Sequence, residues 1–483
     1  MERFDLIVIG AGATGLAAAR SARRGNRSVA LVEAARPGGD CTHHGCVPSK
    51  TLLEVARRVQ GARSGSRFGF SASVEVDFAA VMARVADVIA TIELDESPAR
   101  LRSEGIDLFK GWARFTDPST VDVDGRVLAA RRFVIATGAS AVTPPIDGLS
   151  DVGFLDNRSV FELRDAPEHL LVMGGGNIGV ELAQAFRRLG SAVTVVEALP
   201  RLLAREEPRT SRVVTDVLTA EGVDVRTGAK VERVSAGPTL HLAGGGTVAG
   251  THLLVAVGRR PATDGMNLDV AGVDVGDKSE IVADAHLRTS AEHIFTAGDC
   301  TSPLQFTHVG DEQGRIAAAN AFASGAMGGR LPAVAGGLRR WDPGVVPWVT
   351  FTEPEVGRVG LTEAEAYAAH GSDARVAEVD LVELDRPRTA GETAGYVKLI
   401  AVPRRIVNSR YAARIGGMTA VSPAGGELVA EAALAMQTGM LAARLAQTIH
   451  AYPTYSLGTR IAAARLFGEH AGKRARPARP DAG

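Results

Sequence analysis

One supersecondary unit occurs twice in this chain, and it constrains the fold more than any other feature. Phe4–Ile9 reads as a buried apolar strand; Gly10-Ala-Gly12-Ala-Thr-Gly15, an alanine-rich helical stretch and a second strand over Ser28–Val32 follow, ending at Glu33. Leu170–Met173 begins the same series, with Gly174-Gly-Gly176-Asn-Ile-Gly179, a helix through Arg188 and a strand over Ala192–Val196 ending at Glu197. Each is a βαβ dinucleotide fingerprint: the glycines permit a tight turn and let backbone approach a pyrophosphate, whose charge sits at the helix N-terminus. A lone G-x-G-x-x-G is weak, but both copies here have strand before, helix after and an acid about twenty residues on. Two such units predict an α/β protein with two Rossmann-like dinucleotide-binding domains, one for a flavin and one for a nicotinamide nucleotide.

The second unit reads as an insertion into the first domain. It runs from about Asp151 to the Gly258-Arg-Arg-Pro261 turn, after which Glu292–Thr296 and Ala297-Gly298-Asp299 return to strand-like texture. With 483 residues the chain exceeds one compact core. We expect a first domain over residues 1–150 and 265–335, a second over 151–264, a C-terminal α+β domain over 340–470, and a disordered basic tail over 471–483. A Gly-rich linker falls near residue 335. The last domain carries β-rich segments (Val345–Thr352, Tyr396–Ala401) and a long helix candidate, Gly426–Ile449, whose apolar spacing is broken by Glu431, Gln437 and Arg444. That pattern is a packed helix rather than a membrane span. A net charge of −1 gives no reason to expect a nucleic-acid or membrane partner. The opening MERFDLIVIG runs straight into the glycine turn and does not read as a leader.

Chemistry concentrates in GGDCTHHGCVPSK, residues 38–50. Three cysteines in all cannot form a disulfide framework, which favours a cytoplasmic setting, where a close pair is catalytic or metal-binding more often than structural. On a regular helix the five-residue spacing of Cys41 and Cys46 means a rise of roughly 7.5 Å. A disulfide needs Cα atoms about 4.4–6.8 Å apart, so the helix start must be distorted, by Gly45 or by an irregular entry. A bond made there is accessible and reducible, and a helix N-terminus stabilises a thiolate. Two alternatives stand beside the redox pair: buried inert cysteines, and a metal site built from Cys41, His43, His44 and Cys46, which would strain the backbone severely. We expect no metal.

With these residues in place, the chain resembles the pyridine nucleotide–disulfide oxidoreductases, the family of lipoamide dehydrogenase, glutathione reductase and mercuric reductase, over residues 3–468. The resemblance implies an FAD domain (1–150 and 265–335), an NAD(P) domain (151–264) and a dimerisation domain (340–470), hence a homodimer with non-covalent FAD. By position, Gly10, Gly12, Gly15 and Gly39 would meet FAD, Glu33 its adenosine ribose, and Ala113, Thr137, Gly138 and Asp299 further parts, with Phe306, Thr307 and His308 opening a helix aimed at the flavin. Cys41 matches the interchange thiol, Cys46 the thiol against the flavin, and Lys50 with Glu181 the pair near the flavin ring. Gly174, Gly176, Gly179, Val231 and Gly258 match nicotinamide-nucleotide contacts. Glu197 favours NAD over NADP, because an acid binds ribose hydroxyls and repels a 2′-phosphate; nearby Arg201 and Arg205 leave NADP possible.

The chain departs from the pattern where dithiol-specific relatives carry His-Pro-Thr-x-Ser-Glu across the dimer interface. Here Tyr452-Pro-Thr-Tyr-Ser-Leu457 places a phenol at the histidine and leucine at the glutamate, with His450 two residues early. An unperturbed phenol near pKa 10 is a poor base at pH 7. Tyrosine there resembles mercuric reductases, whose C-terminal cysteine pair the tail AGKRARPARPDAG lacks. The expected function is therefore electron transfer from NADH through FAD to a Cys41–Cys46 disulfide and on to an unidentified small-molecule acceptor. The alternatives are a dihydrolipoyl dehydrogenase, a quinone or mercuric ion reductase, and a redox-sensing flavoprotein.

Overall fold

The computed structural model describes residues 1–323, 337–403 and 413–480. The expected linker near residue 335 lies outside the described residues.

The first unit forms β1 (Glu2–Ile9), α1 (Ala13–Arg24) and β2 (Val29–Glu33). The chain then enters a short helix α2 (Gly39–His44), the longer α3 (Cys46–Arg63), α4 (Phe78–Glu93) and α5 (Pro98–Ser103). Strands β3 (Ile106–Lys110), β4 (Ala113–Asp117), β5 (Thr120–Val123) and β6 (Arg126–Ile135) complete a sheet of order β3-β2-β1-β6-β5-β4. Its β3-β2-β1-β6 portion is parallel, so both faces are covered and its strands read as continuous apolar runs, as Leu6–Ile9 and Val29–Val32 do. Alanines on the buried side of α1 and Gly15 let that helix lie close on the turn: a Cβ at Gly15 would strike the Gly10 carbonyl.

After the short strand β7 (Ala139–Ala141), the second unit gives β8 (His169–Met173), α6 (Asn177–Leu189), β9 (Ala192–Val196), α7 (Pro208–Ala220) and β10 (Asp224–Arg226). A meander of β11 (Val231–Ser235), β12 (Thr239–Leu242) and β13 (Thr247–Ala249) precedes β14 (His252–Val255), which closes a parallel sheet β10-β9-β8-β14. Strand β15 (Arg259–Pro261) then pairs antiparallel with β7, and β16 (Ile294–Thr296) returns to pair with β6. The second sheet thus interrupts the first. Helix α8 (Thr307–Ala321) packs against α1.

The C-terminal part comprises β17 (Pro347–Thr350), β18 (Glu355–Gly360), α9 (Glu363–His370), β19 (Arg375–Asp380), α10 (Asp385–Ala390), β20 (Tyr396–Val402) and β21 (Arg414–Ser422). Where one long helix was expected over 426–449, two form: α11 (Gly425–Gln437) and α12 (Ala442–Gln447). The break is at Thr438-Gly439, where Gly439 takes φ +63° and Met440 N–H returns to the Ala435 carbonyl, a left-handed helix stop. Helix α13 (Leu457–Arg465) and β22 (Arg476–Pro477) follow, giving an antiparallel sheet β17-β18-β21-β20-β19-β22.

The expected disordered tail is a second correction. Residues 473–480 lie against β19: Lys473 Nζ reaches Glu383 at 2.9 Å, Arg476 Nη2 reaches Glu363 at 2.9 Å, and Ala475 and Ala478 are buried. Basic residues that look solvated in sequence find carboxylates about a hundred positions upstream. Glu363 is shared with the buried Lys398, whose Nζ lies 3.1 Å from Glu207, 3.0 Å from Glu363 and 3.3 Å from Glu378. Glu207 immediately precedes α7, so this cluster joins the second unit to the C-terminal sheet. Among the described residues no helix is long and apolar enough to cross a membrane.

Candidate active site

The two glycine turns hold their acids in the same way. Glu33 Oε2 accepts from Ala11 N–H (2.7 Å) and Oε1 from Ala35 N–H (2.8 Å). Glu197 Oε2 accepts from Gly175 N–H (2.6 Å) and Oε1 from Leu199 N–H (2.7 Å). Each carboxylate is thereby pinned at the rim of its own loop, where a ribose diol would meet it. Both following helices start at a glycine with no side-chain cap, Gly12 for α1 and Gly176 for α6, leaving first-turn N–H groups for a phosphate. Gly39 closes on Gly12, and Gly258 borders open space. Val231 is buried in the same core cluster of the second unit as Val196, and Ala113 in the same cluster of the first as Val32. Arg201 is committed to the Glu206 and Ala204 carbonyls and Ser211, each at 2.7–3.0 Å, whereas Arg205 is exposed.

Three polar groups around the first turn lack hydrogen-bond partners among the described residues, and they fit a dinucleotide such as FAD. The Asp299 carboxylate accepts no hydrogen bond among the described residues; burial raises its pKa above the usual carboxylate value, against the opposing charge of Arg259 4.0 Å away. Thr137 Oγ1 and Arg259 Nε are buried without hydrogen-bond partners. Cofactor hydroxyls and phosphate oxygens would satisfy all three.

Cys41 and Cys46 are brought together by a break in the helix. Gly45 interrupts α2 and α3 with φ −128° and ψ −113°; a Cβ there would come within 2.9 Å of the Asp40 carbonyl and 3.2 Å of Cys41 Cα. Both cysteines are free thiols, and Thr307 at the start of α8 touches both: its Oγ1 lies 3.1 Å from Cys41 Sγ and 3.4 Å from Cys46 Sγ. A hydrogen bond from Cys41 pulls the Cys46 pKa below the ordinary thiol value, helped by Thr307 and the Lys50 charge; the same pairing pushes Cys41 up. His43, a member of the alternative metal set, is committed elsewhere: its Nε2–H donates to the Pro37 carbonyl (2.8 Å).

Lys50, one turn along α3 from Cys46, pairs with Glu181 of α6 (2.9 Å) and sits over the Phe351 ring at 4.5 Å. Glu181 is buried and its second oxygen takes Phe351 N–H at 2.8 Å. A groove of about 440 Å³ opens beside them, lined by Val47, Val88 and Ile92 together with Cys46, Lys50 and Arg84. Phe306 stacks between His308 and Trp348 (centroids 5.6 and 6.0 Å), and His308 Nε2 donates to the Pro347 carbonyl at 2.6 Å.

Tyr452 is the predicted site residue that one protomer does not bring to the thiols. It is 70% exposed, and its hydroxyl donates to Asp385 Oδ2 at 2.7 Å, which raises the phenol pKa further. His450 does not replace it within this chain: Nδ1 meets the Thr448 carbonyl (3.0 Å) and Nε2 meets Glu431 (3.0 Å).

Sequence reasoning missed Asp40 and Arg259. Arg259 Nη2 donates to Asp40 Oδ2 (2.7 Å) and to the Ala139 carbonyl (2.6 Å), while Arg158 and Asn157 also reach Asp40. Burial alone would raise the Asp40 carboxyl, but Arg259 holds it below the usual carboxylate value. The residue before Cys41 is thus tied to the one after Gly258. No local signal marks partners 219 positions apart.

Comparison with known proteins finds relatives over nearly the whole chain. Residues 4–321 match the family model described as pyridine nucleotide-disulphide oxidoreductase, and residues 346–462 match its dimerisation domain. A mercuric reductase of Bacillus cereus is 34% identical over 467 residues, 95% of this chain and 71% of its own length. A dihydrolipoyl dehydrogenase of Thermus scotoductus is 35% identical over 477 residues, 96% and 98% of the two chains. Among solved structures, the HOCl-induced flavoprotein disulfide reductase RclA from Escherichia coli, determined as a Cu(II) complex, superposes with a TM-score of 0.83 at 28% identity, covering 96% of this chain and 99% of RclA.

Proposed function

This chain belongs to the pyridine nucleotide-disulphide oxidoreductase family, whose members are enzymes using FAD and NAD(P)H, and from that premise we propose an NADH-dependent reductase whose Cys41–Cys46 dithiol passes electrons to a thiophilic metal cation. The observation that carries the reading is a mismatch within one site. The thiols, Thr307 and the Lys50–Glu181 pair are assembled for electron transfer, while the residue standing where relatives place an acid–base is a phenol held by Asp385. Disulfide exchange with an organic dithiol needs a base to move thiol protons. A metal ion does not, because a soft cation binds thiolate and displaces the proton itself. Mercuric reductase and Cu(II)-bound RclA are the relatives that handle such ions.

Bound FAD supplies the two-electron link between nicotinamide and disulfide. The chain's own residues do the rest: Glu33 and Glu197 hold riboses, α1 and α6 offer N–H groups to phosphates, and Asp299, Thr137 and Arg259 offer polar atoms to the flavin nucleotide. Lys50, oriented by Glu181, places a positive charge near Cys46 and steadies its thiolate. Oxidation of the Cys41 thiol and Cys46 thiolate to the disulfide releases two electrons and one proton, matching two Cu(II) reduced to Cu(I) or one Hg(II) reduced to the metal. The fixed Glu197 and the committed Arg201 support NADH over NADPH. We assign residues 1–150 with 265–335 to FAD, 151–264 to NADH and 340–470 to a homodimer contact that would carry Tyr452 toward the partner's thiols, in a cytoplasmic setting.

The apolar groove beside Cys46 favours a second reading, a quinone acceptor that bypasses the thiols. An acceptor panel of Cu(II), Hg(II), a benzoquinone and lipoamide separates the two, run on wild type and Cys41→Ser. Metal reduction lost in Cys41→Ser supports the first; quinone reduction alone, untouched by the substitution, overturns it.

A further inference from the structure

A soft cation can displace a thiol proton, but the thiolate is the nucleophile and the better ligand, so the charge state of the outer sulfur still matters. We propose that Thr307 is the positioning residue that lets Cys46 serve as the base for Cys41, its single hydroxyl hydrogen swinging between the two sulfurs to follow the charge. This rests on the dithiol relay set out above.

Thr307 Oγ1 lies within hydrogen-bonding reach of both sulfurs, 3.1 Å from Cys41 and 3.4 Å from Cys46. A hydroxyl has one hydrogen, so it can donate to one sulfur at a time. In the structure, with both thiols free, the hydroxyl donates to Cys41 Sγ; when Cys46 carries the charge, the hydroxyl turns to donate to Cys46 beside the Cys41 S–H. When an acceptor arrives, the S–H proton passes from Cys41 Sγ to Cys46 Sγ. No electrons change hands, and the total charge of the pair stays the same. The hydroxyl then turns back to donate to the new Cys41 thiolate, the direction the structure shows. The proton never leaves the pair.

The position of the hydroxyl is fixed by the backbone. Thr307 begins α8, which packs along α1, and Gly310 and Gly314 of α8 face Thr14 so closely that a Cβ at either would collide with it. Neighbouring groups cannot take over the role. Lys50 is paired with Glu181, Tyr452 with Asp385, and His450 with Glu431 and the Thr448 carbonyl. Asp40, next to Cys41, is neutralised by Arg259 and Arg158.

The test uses NADH-reduced holoenzyme without oxygen, comparing wild type, Thr307→Val, Thr307→Ala and Thr307→Ser. Two readouts are followed: the pH midpoint of the long-wavelength thiolate–flavin absorbance, and the rate of Cys41 alkylation by iodoacetamide at pH 7. Valine keeps the shape and removes the donor. It should raise the midpoint by about one unit, a tenfold loss of thiolate at fixed pH, and slow alkylation about tenfold. Serine should restore both, and alanine should match valine if valine impairs folding. Valine and alanine enzymes that keep the wild-type midpoint and alkylation rate overturn the Thr307 inference and leave the relay standing. A wild type with no long-wavelength band overturns the relay itself.

Discussion

The Tyr452 hydroxyl donates to Asp385 Oδ2 across 2.7 Å, on a surface where the phenol is 70% exposed. A neighbouring carboxylate disfavours loss of the phenolic proton, so the pKa lies above that of free tyrosine. The phenol is neutral throughout the physiological range. It can donate a hydrogen bond, but it cannot collect a thiol proton.

Restoring an acid–base should therefore restore dithiol chemistry. Tyr452→His with Leu457→Glu is expected to raise dihydrolipoamide oxidation at pH 7.5 by about 10²-fold, the low end of what general acid–base catalysis contributes. Steady-state assays on both proteins decide it. Wild type already as fast as the double variant would show that the phenol is no handicap.

Glu197 should govern nicotinamide choice. Its carboxylate is anchored by Gly175 and Leu199 N–H groups, and it would repel a 2′-phosphate in that position. Glu197→Gln removes the charge while retaining an acceptor. The ratio of kcat/KM for NADH over NADPH is expected to fall about tenfold, through a lower KM for NADPH.

Both glycine turns, the acids that end their second strands and the cysteine pair were legible in the sequence because each is a local pattern with a backbone reason. Gly45 belonged to that set: the spacing of Cys41 and Cys46 demanded a helix break, and the break lies there. Arg259 did not belong to it. Its partner Asp40 is far upstream, and an arginine in a turn looks solvated until the fold buries it. Arg476 and Lys473 misled in the same way, since charge alone cannot tell a free tail from one that meets buried carboxylates. The long helix over 426–449 failed for a smaller reason: apolar spacing continues across Gly439, while the backbone does not.

Lys398 should matter to stability more than to chemistry. Glu207 and Glu363 are buried against its Nζ at 3.1 and 3.0 Å. Lys398→Ala leaves them without their shared cation and is expected to cost about 3–5 kcal/mol. Chemical denaturation of the holoenzyme measures this. A change below about 1 kcal/mol would mean that Arg476 alone neutralises the cluster.

Lys50 should set the charge on Cys46. Lys50→Met removes the cation that Glu181 orients at 2.9 Å. The Cys46 pKa should rise, so the thiolate would be lost at a higher pH than in wild type as the solution is acidified. Glu181→Gln, which keeps the hydrogen bond from Phe351 N–H, removes a carboxylate charge that raises the Cys46 pKa and should shift it the other way, downward. Spectral pH titration of the reduced proteins compares the three.

The most direct test of the central claim is an anaerobic titration of the purified flavoprotein with NADH, followed by absorbance from pH 6 to pH 9. The hydrogen bond from Cys41, with Thr307 and Lys50, holds the Cys46 pKa below the ordinary thiol value. A thiolate is present above its pKa and lost as pH falls through it. A long-wavelength thiolate–flavin band should therefore appear on reduction, persist at pH 7 and be absent in Cys46→Ser. Bleaching of the flavin with no such band at any pH would contradict electron transfer through Cys41 and Cys46.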